Sequence, residues 1–166
     1  QAPRKVDAIL MLDVLEHLSS PENFLEELRE HFKFQSSVVI YASTGNIAFV
    51  ITRLLHLFGM FNYGKKGILD LTHKRLFTRK TFINLFEQNG FIFLNCEPVP
   101  APWELVFGSN HFGRFLTKIN TFLCKVWPSM FAYQFFLTLT IAPHLDRILK
   151  ATQEASRRKS NLGEHT

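Results

Sequence analysis

The sequence predicts a single α/β domain built on a mostly parallel sheet, and three observations lead to this prediction. Apolar runs alternate with amphipathic stretches in the order strand, helix, strand, helix, helix, strand, helix, strand. The first run, residues 6–12, is nearly continuously apolar, which is typical of a parallel strand covered on both faces. With 166 residues, 46% of them hydrophobic and 20% charged, the chain can bury a core of its own.

Capping residues and helix breakers predict the elements of the first half of the chain. Ser20 can cap a helix that begins at Pro21. Thr78 can cap a later helix, which ends at Gly90. Glycines interrupt residues 59–77, so we expect this segment to be irregular. The other elements expected here are a strand at 37–42, a turn at 43–46 and a helix at 47–58.

The second half of the chain contains two further strands with a helix between them. We expect a strand at 91–96, after which three closely spaced prolines force an extended connection. A helix is expected over roughly 114–125, and a β-rich run at 133–141 is expected to form the last strand. This assigns residues 1–142 to one domain and residues 143–166 to a helical or disordered tail.

Composition narrows the environment and the partners. The two cysteines, Cys96 and Cys124, have no metal-binding spacing and indicate no disulfide framework, which fits a reducing cytoplasm. The net charge of +5 is modest, and we interpret the basic tail residues 157–159 as a solvated terminus, so no nucleic-acid partner is expected. The longest apolar stretch, residues 47–61, contains Arg53 and His56 and is too short to span a bilayer.

Polar residues that could carry chemistry follow the first predicted strand. Asp13 ends the apolar run, and Glu16 and His17 come before the next helix opens. In open α/β sheets ligands bind at the carboxyl ends of the strands, so this is the expected position of a functional site. A second group, His73 and Arg75, lies two residues apart in a loop, so in an extended segment both side chains face the same way.

Three segments in sequence order, residues 7–21, 67–78 and 128–134, resemble motifs of class I S-adenosylmethionine-dependent methyltransferases. The resemblance is to the branch that includes quinone-biosynthesis O-methyltransferases and small bacterial envelope-associated relatives. It implies a Rossmann-like methyltransferase fold of which this chain supplies strands four to seven. The first strands and the glycine-rich loop are then missing from this chain, and we expect the isolated chain to be inactive.

The resemblance also implies roles for the residues after the first strand. Leu12, Asp13 and Val14 would border the methionine end of S-adenosylmethionine, although Asp13 could instead cap the following helical turn. His17 would act as the general base that removes the acceptor's proton. Related enzymes hold a divalent metal such as Mg²⁺ at an equivalent trio, here Asp13, Glu16 and His17, with Asp13 in place of the usual Glu. A purely structural role for this trio is the remaining alternative.

Four residues are candidates for binding the acceptor, and each has a structural alternative. Arg75 could hold a carboxylate or phosphate, or could pair with Asp70 or cap the helix after Thr78. Asn46 could contact the acceptor or cap the helix that we expect from residue 47. Tyr63 could line the acceptor pocket or belong to the core. His73 is the fourth candidate.

The function implied by the resemblance is methyl transfer from S-adenosylmethionine to a small acceptor. The 18 phenylalanines favour an acceptor with a hydrophobic, lipid-like portion, such as a quinone precursor. The alternative is a catalytically inactive, truncated methyltransferase-like protein that acts as an interaction module, including at a membrane surface. Apolar residues 47–61 and 112–136 could make a peripheral membrane contact, but such helices are more often core. An unpaired edge of the first strand would favour self-association.

Overall fold

A computed structural model describes residues 6–35, 38–108 and 110–143, which form an α/β fold around one four-stranded sheet. The strands lie side by side in the order β1, β2, β4, β3. Their bounds are β1 Ala8–Leu12, β2 Val39–Gly45, β3 Phe91–Val99 and β4 Gln134–Ile141. The helices are α1 Pro21–Phe32, α2 Val50–Leu57, α3 Arg79–Gln88, α4 Trp103–Phe107, α5 His111–Val126 and α6 Pro128–Phe131, and a short 3₁₀ helix, Leu15–His17, follows β1.

The predicted α/β class is confirmed, but the described part of the sheet is mixed rather than mostly parallel. β1 pairs with β2 in parallel, whereas β4 pairs antiparallel with both β2 and β3. Helix α1 provides the crossover that a parallel β1–β2 pair requires. β3 and β4 are neighbours with three helices between them in sequence, and the chain reverses direction between the two strands. Because the alternation of strands and helices is the same in both cases, the sequence pattern does not reveal the reversal.

The main core lies against one face of the sheet, where α1 and α3 cover the apolar side chains of the strands. Met11 of β1 is buried in this core, but Leu10 and Leu12 on the other face are 64% and 49% exposed. The expectation that both faces of the first strand are buried is therefore wrong for the described residues. Self-association through this strand stays a prediction.

Helix starts follow the predicted capping residues only in part. Thr78 caps α3 as predicted, because its Oγ1 accepts a hydrogen bond of 3.2 Å from the backbone N–H of Thr81. Helix α1 begins at Pro21 as predicted, but the Ser20 side chain makes no capping hydrogen bond. Helix α2 begins at Val50, three residues later than expected, because residues 46–49 form a turn. Residues 59–77 contain no helix, as predicted.

The second half differs from the prediction mainly in the length of its elements. β3 continues to Val99 and includes Pro98, where the sequence predicted only an extended connection. A proline is tolerated there because β3 is at the edge of the described sheet and pairs with β4 alone. The predicted helix at 114–125 is α5, which is longer at its start because Asn110 caps it. Helices α4 and α6 are short and were not predicted.

Two remaining predictions concern the end of the chain and the membrane. The predicted tail lies outside the described residues from residue 144 onward, so the division at residue 142 stays a prediction. Within the described ranges, no helix is both long enough and apolar enough to cross a bilayer.

Candidate functional site

A cleft of about 280 Å³ opens where β1 and β2 end and β4 begins. This position agrees with the general rule for α/β sheets and with the expectation from the sequence. The cleft is lined by Asp13, Glu16, His17, Gly45, Gly67, Ile68, Asp70, His73, Tyr133 and Gln134. Its lining includes three carboxyl side chains and no lysine or arginine, so its charge favours a cationic ligand.

Asp13 joins three strand ends at the floor of this cleft. Its carboxylate accepts hydrogen bonds from Ser43 Oγ at 2.9 Å and from Gln134 Nε2 at 2.9 and 3.0 Å. Its backbone N–H donates to Ser43 as well, and its φ of +53° lies in the left-handed region that a non-glycine residue rarely adopts. Hydrogen bonds to β2 and β4 therefore hold Asp13 at the end of β1 in a strained backbone conformation.

The structure excludes a helix-capping role for Asp13. The 3₁₀ helix that follows has Val14 at its N-cap position and no side-chain capping bond. Val14 packs against the main core, and Leu12 is half exposed. Of the three residues that the resemblance assigns to the cofactor, Asp13 alone lines the cleft. The assignment of Leu12, Asp13 and Val14 to the cofactor stays a prediction.

Glu16 is a buried acid at the wall of the cleft. Its side chain is 2% exposed, and among the described atoms its Oε2 has no hydrogen-bond partner. Burial raises the pKa of Glu16 above its ordinary value, and the nearby Asp13 carboxylate raises this pKa further. The backbone carbonyl of Glu16 accepts hydrogen bonds from the N–H groups of Lys74 and Arg75, which attaches the loop at 64–77 to the strand end.

His17 and His73 face each other across the same wall. Their ring centroids are 4.8 Å apart in an edge-to-face arrangement. His17 Nδ1 lies 3.3 Å from the carbonyl oxygen of Thr72, and His73 Nδ1 lies 3.0 Å from that of Ile68. Because a carbonyl oxygen only accepts, each Nδ1 is the donor, and in a neutral ring each Nε2 then carries the free lone pair. Each imidazole is thus oriented to accept a proton at Nε2.

Among the described residues, the trio Asp13, Glu16 and His17 is not arranged as a metal centre. Within the residues that the structure describes, no group of three or more His, Cys, Asp or Glu side chains is arranged to hold a metal ion. The carboxylate of Asp13 is engaged by Ser43 and Gln134, and Nδ1 of His17 is directed at a backbone carbonyl. The suggested Mg²⁺ site is therefore not supported.

Asn46 has a structural position rather than one in the cleft. It is fully buried, and its Nδ2 donates to the carbonyls of Ala132 and Ser129 at 2.8 and 3.2 Å. Its Oδ1 accepts from the backbone N–H of Ala48 at 3.0 Å. Every polar group of this side chain is occupied, which is inconsistent with direct contact to an acceptor. It also does not cap α2, whose N-cap residue is Phe49.

Two other acceptor candidates lie outside the cleft lining. Tyr63 is 43% exposed and packs edge-to-face against Phe61, so it is not a core residue. Arg75 forms an exposed ion pair with Glu22 of α1, which lowers the pKa of that carboxyl. The predicted pair of Arg75 with Asp70 is wrong, because Asp70 Oδ1 accepts instead from the Thr72 backbone and hydroxyl. His73 is thus the one acceptor candidate that reaches the cleft.

Sequence reasoning missed several residues that line the cleft or hold Asp13 in place. Ser43 was detectable, since it ends a strand next to the first one, and its hydroxyl meets Asp13 there. Gln134 was not detectable, because it lies 121 positions from Asp13 in the sequence and only the antiparallel pairing of β4 places the two side chains together. Tyr133 closes the cleft beside Gly67, where a Cβ would lie 3.1 Å from its hydroxyl. Burial raises the pKa of the Tyr133 phenol, so it stays a neutral lining group near neutral pH.

Sequence comparison identifies the family. A family profile described as a methyltransferase domain matches residues 1–94, which is more than half of the chain. The chain belongs to this methyltransferase-domain family, as the resemblance predicted. No curated protein matches the chain.

The chain is also similar to several solved structures of methyltransferases. An S-adenosylmethionine-dependent methyltransferase from Archaeoglobus fulgidus is 19% identical, with a TM-score of 0.46 over 81% of this chain and 58% of its own. A candidate methyltransferase in complex with an activator, from Haloferax volcanii, is 13% identical, with a TM-score of 0.43 over 84% and 55%. A candidate methyltransferase from Bacillus halodurans is 14% identical, with a TM-score of 0.44 over 87% and 74%. The chain therefore spans a little over half the length of the first two.

Proposed function

We propose that this chain belongs to an enzyme that transfers the methyl group of S-adenosylmethionine to a small, partly hydrophobic acceptor, and that the cleft beside Asp13 is the site. Membership in the methyltransferase-domain family supports the reaction class. The observation that supports the location is the Asp13 carboxylate, which Ser43 and Gln134 fix at the strand ends in a cleft without lysine or arginine. Such a lining suits the ammonium and sulfonium charges at the methionine end of the cofactor.

The cofactor would supply a methyl carbon on a sulfonium, whose carbon–sulfur bond breaks when the acceptor attacks. The protein's task is then to align the acceptor and to remove its proton. His17 fits the second task, because its Nδ1–H is directed at the carbonyl of Thr72, so that Nε2 carries the lone pair that would take the proton of a hydroxyl. His73 packs edge-to-face against His17 and limits the rotation of that ring.

The acceptor class follows from the site and the family resemblance together. A hydroxyl needs a base such as His17, and an O-methyltransferase of the quinone-biosynthesis type would take an acceptor with an apolar tail. Tyr133 lies in the cleft lining and also contacts Phe49 edge-to-face at 5.7 Å, which places an apolar ring next to the cleft. We therefore propose an alkyl-substituted phenol or catechol as the acceptor class.

The test compares cofactor affinity with turnover in the full-length protein. Calorimetry with S-adenosylhomocysteine gives the affinity, and formation of the methyl ether of an alkylcatechol gives the turnover. His17→Ala should lower turnover by about 10²–10⁴-fold, the usual contribution of a general base, and change affinity by less than about twofold. Asp13→Ala should instead weaken cofactor binding, since its carboxylate is part of the proposed site.

His31→Ala is the matched control for His17, because His31 is an exposed histidine on α1 away from the cleft. This variant should keep full turnover and affinity. Full turnover by His17→Ala would refute the base assignment. If the full-length protein does not bind S-adenosylhomocysteine at all, the proposed activity is wrong and the inactive interaction module is the better description.

A further inference from the structure

Helix α5 has two faces with opposite environments. Gly113, Asn120 and Cys124 are buried, and Asn120 bonds to the backbone of Ala101 and Phe131. On the side away from these residues, five apolar side chains fall within an arc of about 80°, at 100° per residue. These side chains are between 40% and 67% exposed and are Phe112, Phe115, Ile119, Phe122 and Val126.

The exposed apolar face continues beyond α5. Leu105 and Val106 of α4 are 86% and 68% exposed, and Trp127 is more than half exposed at the end of α5. Phe107 of α4 is 44% exposed and contacts Phe112 of α5, so the exposed apolar side chains of the two helices meet there. An exposed apolar surface of this kind on a folded domain usually marks an interaction site. The alternative predicted from the sequence, that this helix belongs to the core, is wrong for this face in the part of the chain that the structure describes.

Basic side chains border the apolar face. Arg114, Lys118 and Lys125 follow one edge of it, and residues 105–127 contain no aspartate or glutamate. The ion pairs found among the described residues lie elsewhere, on α1 and at Arg75. A hollow of about 200 Å³ at this border is lined by His111, Arg114, Phe115 and Lys118, so cationic groups and an aromatic ring surround one small space.

We infer that this face of α4 and α5 binds the surface of a lipid bilayer that contains anionic headgroups. A helix with aromatic and aliphatic residues on one side and lysine or arginine along its border is the usual form of an interfacial membrane helix. The apolar side chains enter the headgroup boundary, and the hollow at Arg114 and Lys118 receives a lipid phosphate. A second copy of the chain is a poorer occupant, because a symmetric contact would bring the same three cations together from both copies.

A row of aromatic rings connects this face with the cleft. Phe112 contacts Phe107 at 5.5 Å, Phe107 stacks on Trp103 at 6.0 Å, and Trp103 lies 6.4 Å from Phe49. Phe49 then contacts Tyr133, which lines the cleft. For the acceptor the inference rests on the proposed function: these rings place continuous apolar contacts between the membrane-binding face and the cleft.

The test is the partitioning of the protein onto sonicated vesicles, measured by sedimentation in the absence of cofactor and acceptor. Vesicles of phosphatidylcholine with 30% phosphatidylglycerol are compared with vesicles of phosphatidylcholine alone. We expect binding to the anionic vesicles and at least about tenfold weaker binding to the neutral ones. The double variant Arg114→Gln, Lys118→Gln should bind anionic vesicles about 25-fold more weakly, since each basic residue near such a surface contributes about fivefold.

The apolar face is tested by Phe115→Glu, Phe122→Glu, which should lower binding by at least about 50-fold. Phe34→Glu is the matched control, because Phe34 is 82% exposed and lies two residues after the end of α1; this variant should bind like the parent. Circular dichroism and unfolding midpoints verify that all variants are folded.

Equal binding to both vesicle types, or unchanged binding of the Phe115→Glu, Phe122→Glu variant, would overturn the inference. A third result would also overturn it: the protein does not bind vesicles, light scattering shows a dimer, and the same variant abolishes this dimer. The last result would assign the face to a second copy. Because the assay needs no methyl transfer, its failure is distinct from failure of the proposed activity.

Discussion

Replacing Asn46 by alanine should strongly destabilise the protein, because this side chain connects the end of β2 to the start of β4. Asn46 is fully buried, and its amide makes three hydrogen bonds to backbone groups. Alanine would leave the carbonyl of Ala132 without a partner in a buried position, at a cost of about 1–3 kcal/mol. The other two bonds, to Ser129 and Ala48, are partly accessible to water and contribute about 0.5–1.5 kcal/mol each.

The expected loss is therefore about 2–6 kcal/mol, a large part of the typical 5–15 kcal/mol of a folded domain. Urea denaturation followed by circular dichroism measures it as a lower midpoint at an unchanged slope. Asn95→Ala is the matched control, because Asn95 is exposed and its side chain, among the described residues, bonds to the neighbouring Cys96 and Glu97. This control should cost less than about 1 kcal/mol.

A loss below about 1 kcal/mol in Asn46→Ala would refute the structural role. If turnover fell at the same time while stability did not, Asn46 would contact the acceptor, as the sequence alone suggested. The two roles are therefore separated by one pair of measurements on the same variant.

Two further predictions concern the buried acid and a close helix contact. Because burial raises the folded-state pKa of Glu16 above its ordinary 4.5, the folded protein gives up this proton at higher pH than the unfolded chain. The contribution of Glu16 to the free energy of unfolding is thus fully present below pH 4.5 and is lost as pH rises through the pKa of the folded state. The free energy of unfolding falls over this range by at most about 1.4 kcal/mol per pH unit. Glu16→Gln should remove that loss, and parallel stability–pH curves for the two proteins would contradict it. Gly113→Ala should lower the unfolding free energy by about 1–3 kcal/mol, because a Cβ at Gly113 would lie 2.3 Å from the carbonyl oxygen of Gly108; an unchanged thermal midpoint would exclude this contact.

Local chemistry explains which elements the sequence by itself determined. The apolar run before Asp13, the proline at the start of α1 and the Thr78 cap depend on neighbouring residues, and the structure has them where the sequence predicted. The family was recognisable for the same reason, since its motifs are short and contiguous, and the match over residues 1–94 confirms it. The grouping of Asp13, Glu16 and His17 at a strand end followed from the strand prediction alone.

Only the tertiary structure decided which side chains share the cleft and which faces stay exposed. The antiparallel insertion of β4 brings Gln134 to Asp13, and the same insertion buries Asn46, for which the sequence suggested contact with the acceptor or a helix cap. In the loop after Gly67, the ring of His73 packs against His17, whereas Arg75 forms an ion pair with Glu22. On α5 the pattern of phenylalanines is compatible with a core helix, and its packing through Gly113, Asn120 and Cys124 turns the phenylalanines outward instead. Periodicity fixes the faces of a helix relative to each other, whereas the rest of the fold determines which face is covered.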